Sequence, residues 1–335
     1  MPKITSHFSS GAIVEVRRVE EILSTLDAEG MVEGVPFMEE MRQFCGRRFR
    51  VFKRADKICI ERPYFFDLRR MSNAVLLEEV RCDGGAHDGC GRLCMIFWKE
   101  VWLKPAPADT SAEPRIDWTA MLRAREAASD GSAPTIDESK VYRCQSTALH
   151  EATKPLKSWD IRHYLRDLRS GALRASELPK VGFIVVYNRI AGWLGRHEFG
   201  KIVGTAKKTP SVALHLRSGE LVRVRRKGEV ESTLDQRGKN RGLGFGETEM
   251  ARHFGETFPV LGRVDRMIME DSGKMRKIDN TVLLQGSACS GLSFRGCARH
   301  SHPMWREAWL ERVDPRHVGD ESAPASSSTQ AAKDT

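Results

Sequence analysis

The chain has no apolar run long enough to cross a bilayer, no block of five like charges and few aromatic side chains, 7% with only four tyrosines. The first absence argues against a membrane helix. The most apolar stretch, residues 181–194, is interrupted by Gly182, Asn188, Arg189 and Gly192 and falls short of the roughly 18–20 residues a span needs. Nor do the first eleven residues carry the apolar core of a secretory signal. The expectation is a soluble, cytoplasmic protein that does not bind membranes. Its eight cysteines then point to metal or free thiols rather than disulfides.

Catalytic signatures are missing as well. The sequence contains neither Gly-x-Ser-x-Gly nor His-Glu-x-x-His, and it lacks the His-x-Glu and Pro-Cys-x-x-Cys pair of zinc deaminases. The glycine-rich stretch from Gly238 to Gly246 lacks the Gly-Lys-Ser/Thr ending of a phosphate loop. Lys239 and Arg241 within it remain candidates for touching an anion through a turn. The net charge of +9 raises the chance of an anionic partner. It is uneven, because the first 104 residues are nearly balanced and the excess lies further along.

What is present is a repeat. Residues 11–104 and 219–312 carry one pattern: Ser24-Thr25-Leu26-Asp27 returns as Ser232-Thr233-Leu234-Asp235, and Glu40-Met41 returns as Glu249-Met250. Val75-Leu76-Leu77 matches Val282-Leu283-Leu284, Cys82 matches Cys289, and Cys90 matches Cys297. Trp98-x-Glu100-x-Trp102-Leu103 matches Trp305-x-Glu307-x-Trp309-Leu310. An internal duplication fixes the unit of folding and lets each motif be tested against its partner. Each copy opens on an alternating strand, passes a short helix at 19–26 and a helical turn at 39–44, and continues through strands near 49–52 and 74–77. The tryptophans are expected in the core.

The division that follows has five parts. Residues 1–104 form the first repeat with its cysteine-rich loop. Residues 105–140 are a proline-marked linker with a helical patch at Trp118–Ala128. Residues 141–218 are a mostly helical insert in which 181–194 is a buried helix or a buried strand. Residues 219–315 are the second repeat, and 316–335 an Ala/Ser-rich disordered tail. The pieces Gly46-x-x-Phe49-x-Val51 and Gly255-x-x-Phe258-x-Val260 resemble the core of SH3-like or KOW-type barrels. The whole arrangement also resembles uncharacterised duplicated, cysteine-rich bacterial proteins, a likeness that brings no activity with it. The expected fold is mainly β with α additions, two homologous SH3-like barrels flanking the insert.

Cys82, His87, Cys90 and Cys94 place four soft or borderline ligands within thirteen residues, among Gly84, Gly85, Gly89 and Gly91. That donor set suits a structural zinc in the first repeat, with Cys45 or Cys59 able to replace His87. The other reading is buried thiols that merely pack. In the second repeat His87 becomes Phe294 and Cys94 becomes Ser301, while His300 and His302 appear. Cys289, Cys297, His300 and His302 are thus the less favoured second site, against a copy that has lost its metal. The function expected is a non-catalytic, zinc-stabilised binding or scaffold protein for a protein or nucleic-acid ligand. The alternative is an enzyme, working at the junction of the repeats or at an open metal centre, with Glu100 or Glu307 as a base.

Overall fold

The computed structural model describes residues 8–61, 66–107, 111–128, 135–157, 160–169, 173–197 and 199–314. Alternation decides the first strand of each copy. In Ile13–Val16 the side chains of Val14 and Val16 are buried, and in Leu221–Val224 Val222 and Val224 repeat the pattern. A strand with one face on a core must behave this way. Each of these strands sits within a five-stranded antiparallel sheet. The first sheet runs Met95–Lys99, Ala74–Arg81, Arg48–Arg54, Ile13–Val16, Leu103–Pro105. The second runs Trp305–Arg306, Thr281–Leu284, Thr257–Arg263, Leu221–Val224, Leu310–Arg312, the same order with the same pairings.

Correspondence extends to detail. Val14 lies opposite Phe49, and Val222 opposite Phe258. The register of the long strand slips between Val51 and Lys53, and again between Val260 and Gly262; such bulges bend a strand and tighten its twist. One 3-10 turn, Glu100–Trp102 or Glu307–Trp309, carries the chain into the last strand. Trp98, Trp102, Trp305 and Trp309 are fully buried, so the tryptophans are core residues, as their size favours. The indole of Trp102 donates to Thr25 at 3.1 Å and that of Trp309 to Thr233 at 3.0 Å.

The fold is mainly β with helical additions, and the segments between the copies take part in both cores. Helix Trp118–Ala128 forms where expected, but its flank is not coreless: Trp118 is buried against Leu93, Leu261, Val264 and Leu283. Cys144 and Leu149 belong to the core of the first copy, Ile202 and Leu216 to that of the second. The ambiguous stretch at 181–194 is part of helix Leu178–Trp193. It is not buried: Phe183, Val186, Ile190 and Trp193 are exposed, and among its residues Val181, Ile184 and Ala191 are buried. Among the described residues, no helix is long and apolar enough to cross a membrane. The C-terminal tail, Pro134, Ser158 and Trp159 lie outside the described residues.

The two copies meet through a reciprocal grip. Gly91 N–H donates to Arg266 O at 2.9 Å, and its equivalent Ala298 N–H donates to Lys57 O at 2.9 Å. Ile268 N–H reaches Cys90 Sγ at 3.4 Å, as Cys59 N–H reaches Cys297 Sγ at 3.1 Å. Arg92 donates to Ile268 O at 3.4 Å, and Arg299 to Cys59 O at 2.9 Å. Each copy's cysteine loop therefore holds the β-hairpin of the other. The same surface is used on both sides, which is the geometry of an isologous two-fold interface.

Candidate metal centre

The loop 82–94 is shaped by its backbone before any ligand is considered. Cys82 N–H donates to Cys94 O at 2.8 Å and closes the loop, and Gly84 O accepts from His87 N at 3.1 Å and Gly89 N at 3.0 Å. Gly84 has φ +71°, and a Cβ there would lie 2.1 Å from Cys90 O; only glycine fits. In the second copy Cys289 N–H closes on Ser301 O at 2.9 Å, and a Cβ on Gly291 would lie 2.0 Å from Cys297 O. Both loops thus fold alike, although only the first carries the full donor set.

The side chains inside the loops differ. The 3-10 turn Glu39–Phe44 brings Glu40, buried, against the first loop. Its Oε1 contacts His87 Nδ1 and accepts from Ala86 N–H at 3.2 Å, while its Oε2 has no hydrogen-bond partner. Ligand atoms of Glu40, Cys82 and His87 all lie within 4.8 Å of one another. Among the described residues this is the group of His, Cys, Asp and Glu so arranged. Cys90 and Cys94 are outside that group, yet they line the same cavity as Cys82 and His87, together with Cys144, Ser146 and Arg299. Space for water-sized molecules in it is ≈ 30 Å³, about the room for two waters or one ion with little else.

In the second copy Glu249 is saturated instead. It accepts from Ser290 N–H at 2.8 Å, Ser290 Oγ at 2.9 Å and Ser293 Oγ at 3.0 Å. Ser290 and Ser293 stand where the first copy has Asp83 and Ala86. Burial would raise both carboxyls, but both are held below the usual range, Glu40 chiefly by the His87 hydrogen bond and Glu249 by the Ser290 amide.

Burial pushes the Cys82 thiol well up and the Cys90 thiol to about 11, with Cys94 adding to the latter. Without a cation both stay protonated at neutral pH, so a metal binding there would displace protons. Cys45 is apart from this cavity: its thiol faces Met41 O at 3.8 Å, and burial raises it to about 11. Cys59, on strand Ile58–Glu61, meets the second loop and not the first, with its sulfur 3.2 Å from that of Cys297. Burial raises the Cys297 thiol, but the Cys59 hydrogen bond and Arg299 outweigh it and hold it at about 7.

The second expected set does not converge. His300 Nδ1–H donates to Cys289 O at 3.0 Å, His302 Nδ1 is buried without a partner, and Cys297 is engaged with Cys59. Arg241 lies where the first copy has Glu33. It borders a cavity of ≈ 10 Å³ with Asn240, Asn280 and Arg306, room for one water between the unpartnered Arg306 Nε and Asn240 Oδ1. Lys239 is in the two-residue strand Lys239–Asn240, paired with Leu243–Gly244 across the turn, so this stretch is a hairpin. Glu100 meets Arg54 at 2.5 Å, and Glu307 accepts from Leu214, His215 and Leu216 N–H and from Arg263. Neither faces the cysteine cavity, so both are structural carboxylates and not bases there.

Sequence reasoning missed Glu40 as a metal-site residue and the Cys59–Cys297 pair. A signal for Glu40 existed, since Glu40-Met41 and Glu249-Met250 are identical in the two copies; a retained acid beside a core methionine is one that the loop needs. No such signal marks Cys59, whose equivalent is Ile268. The chain matches no protein-family model, no curated protein and no solved structure.

Proposed function

We propose that this chain is a non-catalytic, zinc-stabilised binding or scaffold protein. Each copy is read as an SH3-like barrel; a five-stranded order with a 3-10 turn before the last strand supports that reading. One observation carries the metal: ligand atoms of Glu40, Cys82 and His87 converge, Cys82 and His87 line a cavity with Cys90 and Cys94, and Glu40 Oε2 beside them is left without a partner. A buried, unpaired carboxylate oxygen is costly. Glu40 on Nδ1 fixes the imidazole so that Nε2 keeps its lone pair, the usual arrangement behind a metal-bound histidine. Cys82, His87, Cys90 and Cys94 then close around zinc with Glu40 behind them. The saturated Glu249 marks the copy that does without.

A cavity of ≈ 30 Å³ holds an ion but no organic substrate, which favours a structural role. The ligand is read as a protein, because Phe183, Val186, Ile190 and Trp193 form an exposed apolar face on one helix, and large exposed apolar patches mark interaction surfaces. Elemental analysis of the purified chain tests the metal. About one zinc per chain is expected, lost in Cys82→Ser and kept in Cys289→Ser. A metal-free wild type of unchanged stability would remove the site.

A further inference from the structure

We propose that Cys59 and Cys297 are an oxidation site that takes hydrogen peroxide and forms a disulfide across the junction, locking the two copies together. The sulfurs lie 3.2 Å apart and must close by about 1 Å to reach bonding distance. Their backbones are already fixed relative to one another. Ala298 N–H is bonded to Lys57 O, Cys59 N–H to Cys297 Sγ, and the Arg299 guanidinium to Cys59 O. Arg299 also ion-pairs with Glu270 at 2.9 Å, which holds the guanidinium beside the thiols. This positive group favours a thiolate at the pair, the form in which sulfur is a nucleophile.

The internal duplication sets this pair apart from ordinary packing. The same seam occurs twice, and at its other end Cys90 faces Ile268 with the equivalent N–H···S contact. Sulfur on both sides is found at one seam of the two. Cys59 is partly buried and Cys297 buried, so Cys59 is the member of the pair nearer solvent. The chemistry balances in two steps. The Cys297 thiolate attacks the O–O bond; an S–O bond forms, the O–O bond breaks, and the leaving hydroxide takes up a proton as water. The Cys59 sulfur then gives up its proton and attacks Cys297; the S–S bond forms, the S–O bond breaks, and a second water leaves. Two thiols are oxidised and one peroxide is reduced.

The test uses the full chain as purified, with whatever metal it holds. Hydrogen peroxide is added, and non-reducing digestion with mass spectrometry maps the cysteines. The expected result is a Cys59–Cys297 cross-linked peptide, reversed by dithiothreitol, with zinc content unchanged and the melting temperature raised by about 3 °C or more. Cys59→Ile, which copies the residue of the second hairpin and should fold, loses both the cross-link and the shift. Sulfinic or sulfonic acid at either position without a cross-link overturns the proposal, and so does pairing of either thiol with another cysteine or no reaction of either thiol. Because the metal is measured in the same sample, failure of this pair is distinct from failure of the zinc site.

Discussion

The loops 82–94 and 289–301 have the same backbone and opposite ways of settling the acid beneath them. In the first, Glu40 leans on His87 and keeps one oxygen unpaired; in the second, two serines saturate Glu249. The difference separates what folds the loop from what fills it. Glycine and carbonyl geometry build both, so the shape does not require an ion, and the donor set of the first is where the proposed ion would bind. Two sheets of the same order in one chain thus serve as controls for each other.

The largest break in the symmetry is expected from Cys82→Ser against Cys289→Ser. Structural zinc contributes on the order of 10 kcal/mol in small domains, so the first change should cost several kcal/mol by urea denaturation and the second about 1 kcal/mol. Equal effects would show that the loops do the same job. Next comes the grip on the partner loop. Lys57 Nζ donates to Arg295 O at 2.9 Å and pairs with Asp167, both buried, whereas Arg266 reaches Asp88 O at 3.4 Å. Removing one member of a buried ion pair costs about 3–5 kcal/mol. Lys57→Ala should therefore lose about that much, and Arg266→Ala about 1 kcal/mol.

Acid should strike the second copy harder. His300 is pushed down to about 4, first by burial and then by Arg81, and His302 lies well below its ordinary value for the same reasons. Their counterparts are Leu93 and Met95, which do not titrate. Between pH 6.5 and about 4 the unfolded chain binds protons at these positions that the folded chain refuses, so stability falls as pH falls through that window. His300→Leu should recover up to about 3 kcal/mol of this loss, seen as a flatter plot of unfolding free energy against pH. The smallest contrast lies in the indoles. Trp305 Nε1 donates to Ser287 at 3.2 Å, but Trp98 Nε1 is buried without a partner. Trp305→Phe should cost about 1 kcal/mol more than Trp98→Phe.

The strands, the 3-10 turn at Glu39–Phe44 and the buried tryptophans were legible because they depend on local period and on side-chain size. Helix Trp118–Ala128 was legible too, but not the burial of Trp118, which depends on Leu261 and Val264 far along the chain. Exposure of Phe183 and Trp193 was equally hidden, since composition says how apolar a helix is and not what covers it. At the proposed metal site, Cys82, His87, Cys90 and Cys94 could be read from spacing. Glu40 left only the repeated Glu-Met pair as a signal, because it approaches through tertiary packing. The pairing of Cys59 with Cys297 joins residues from different copies and leaves no trace in either.

The reciprocal grip of Gly91 and Ala298 has a consequence for assembly. Two mates of a self-complementary handshake are sewn into one polymer, so their meeting is a first-order event at a local concentration set by the tether. Completeness of the particle then does not vary with expression level, as it would for a separate pair in solution.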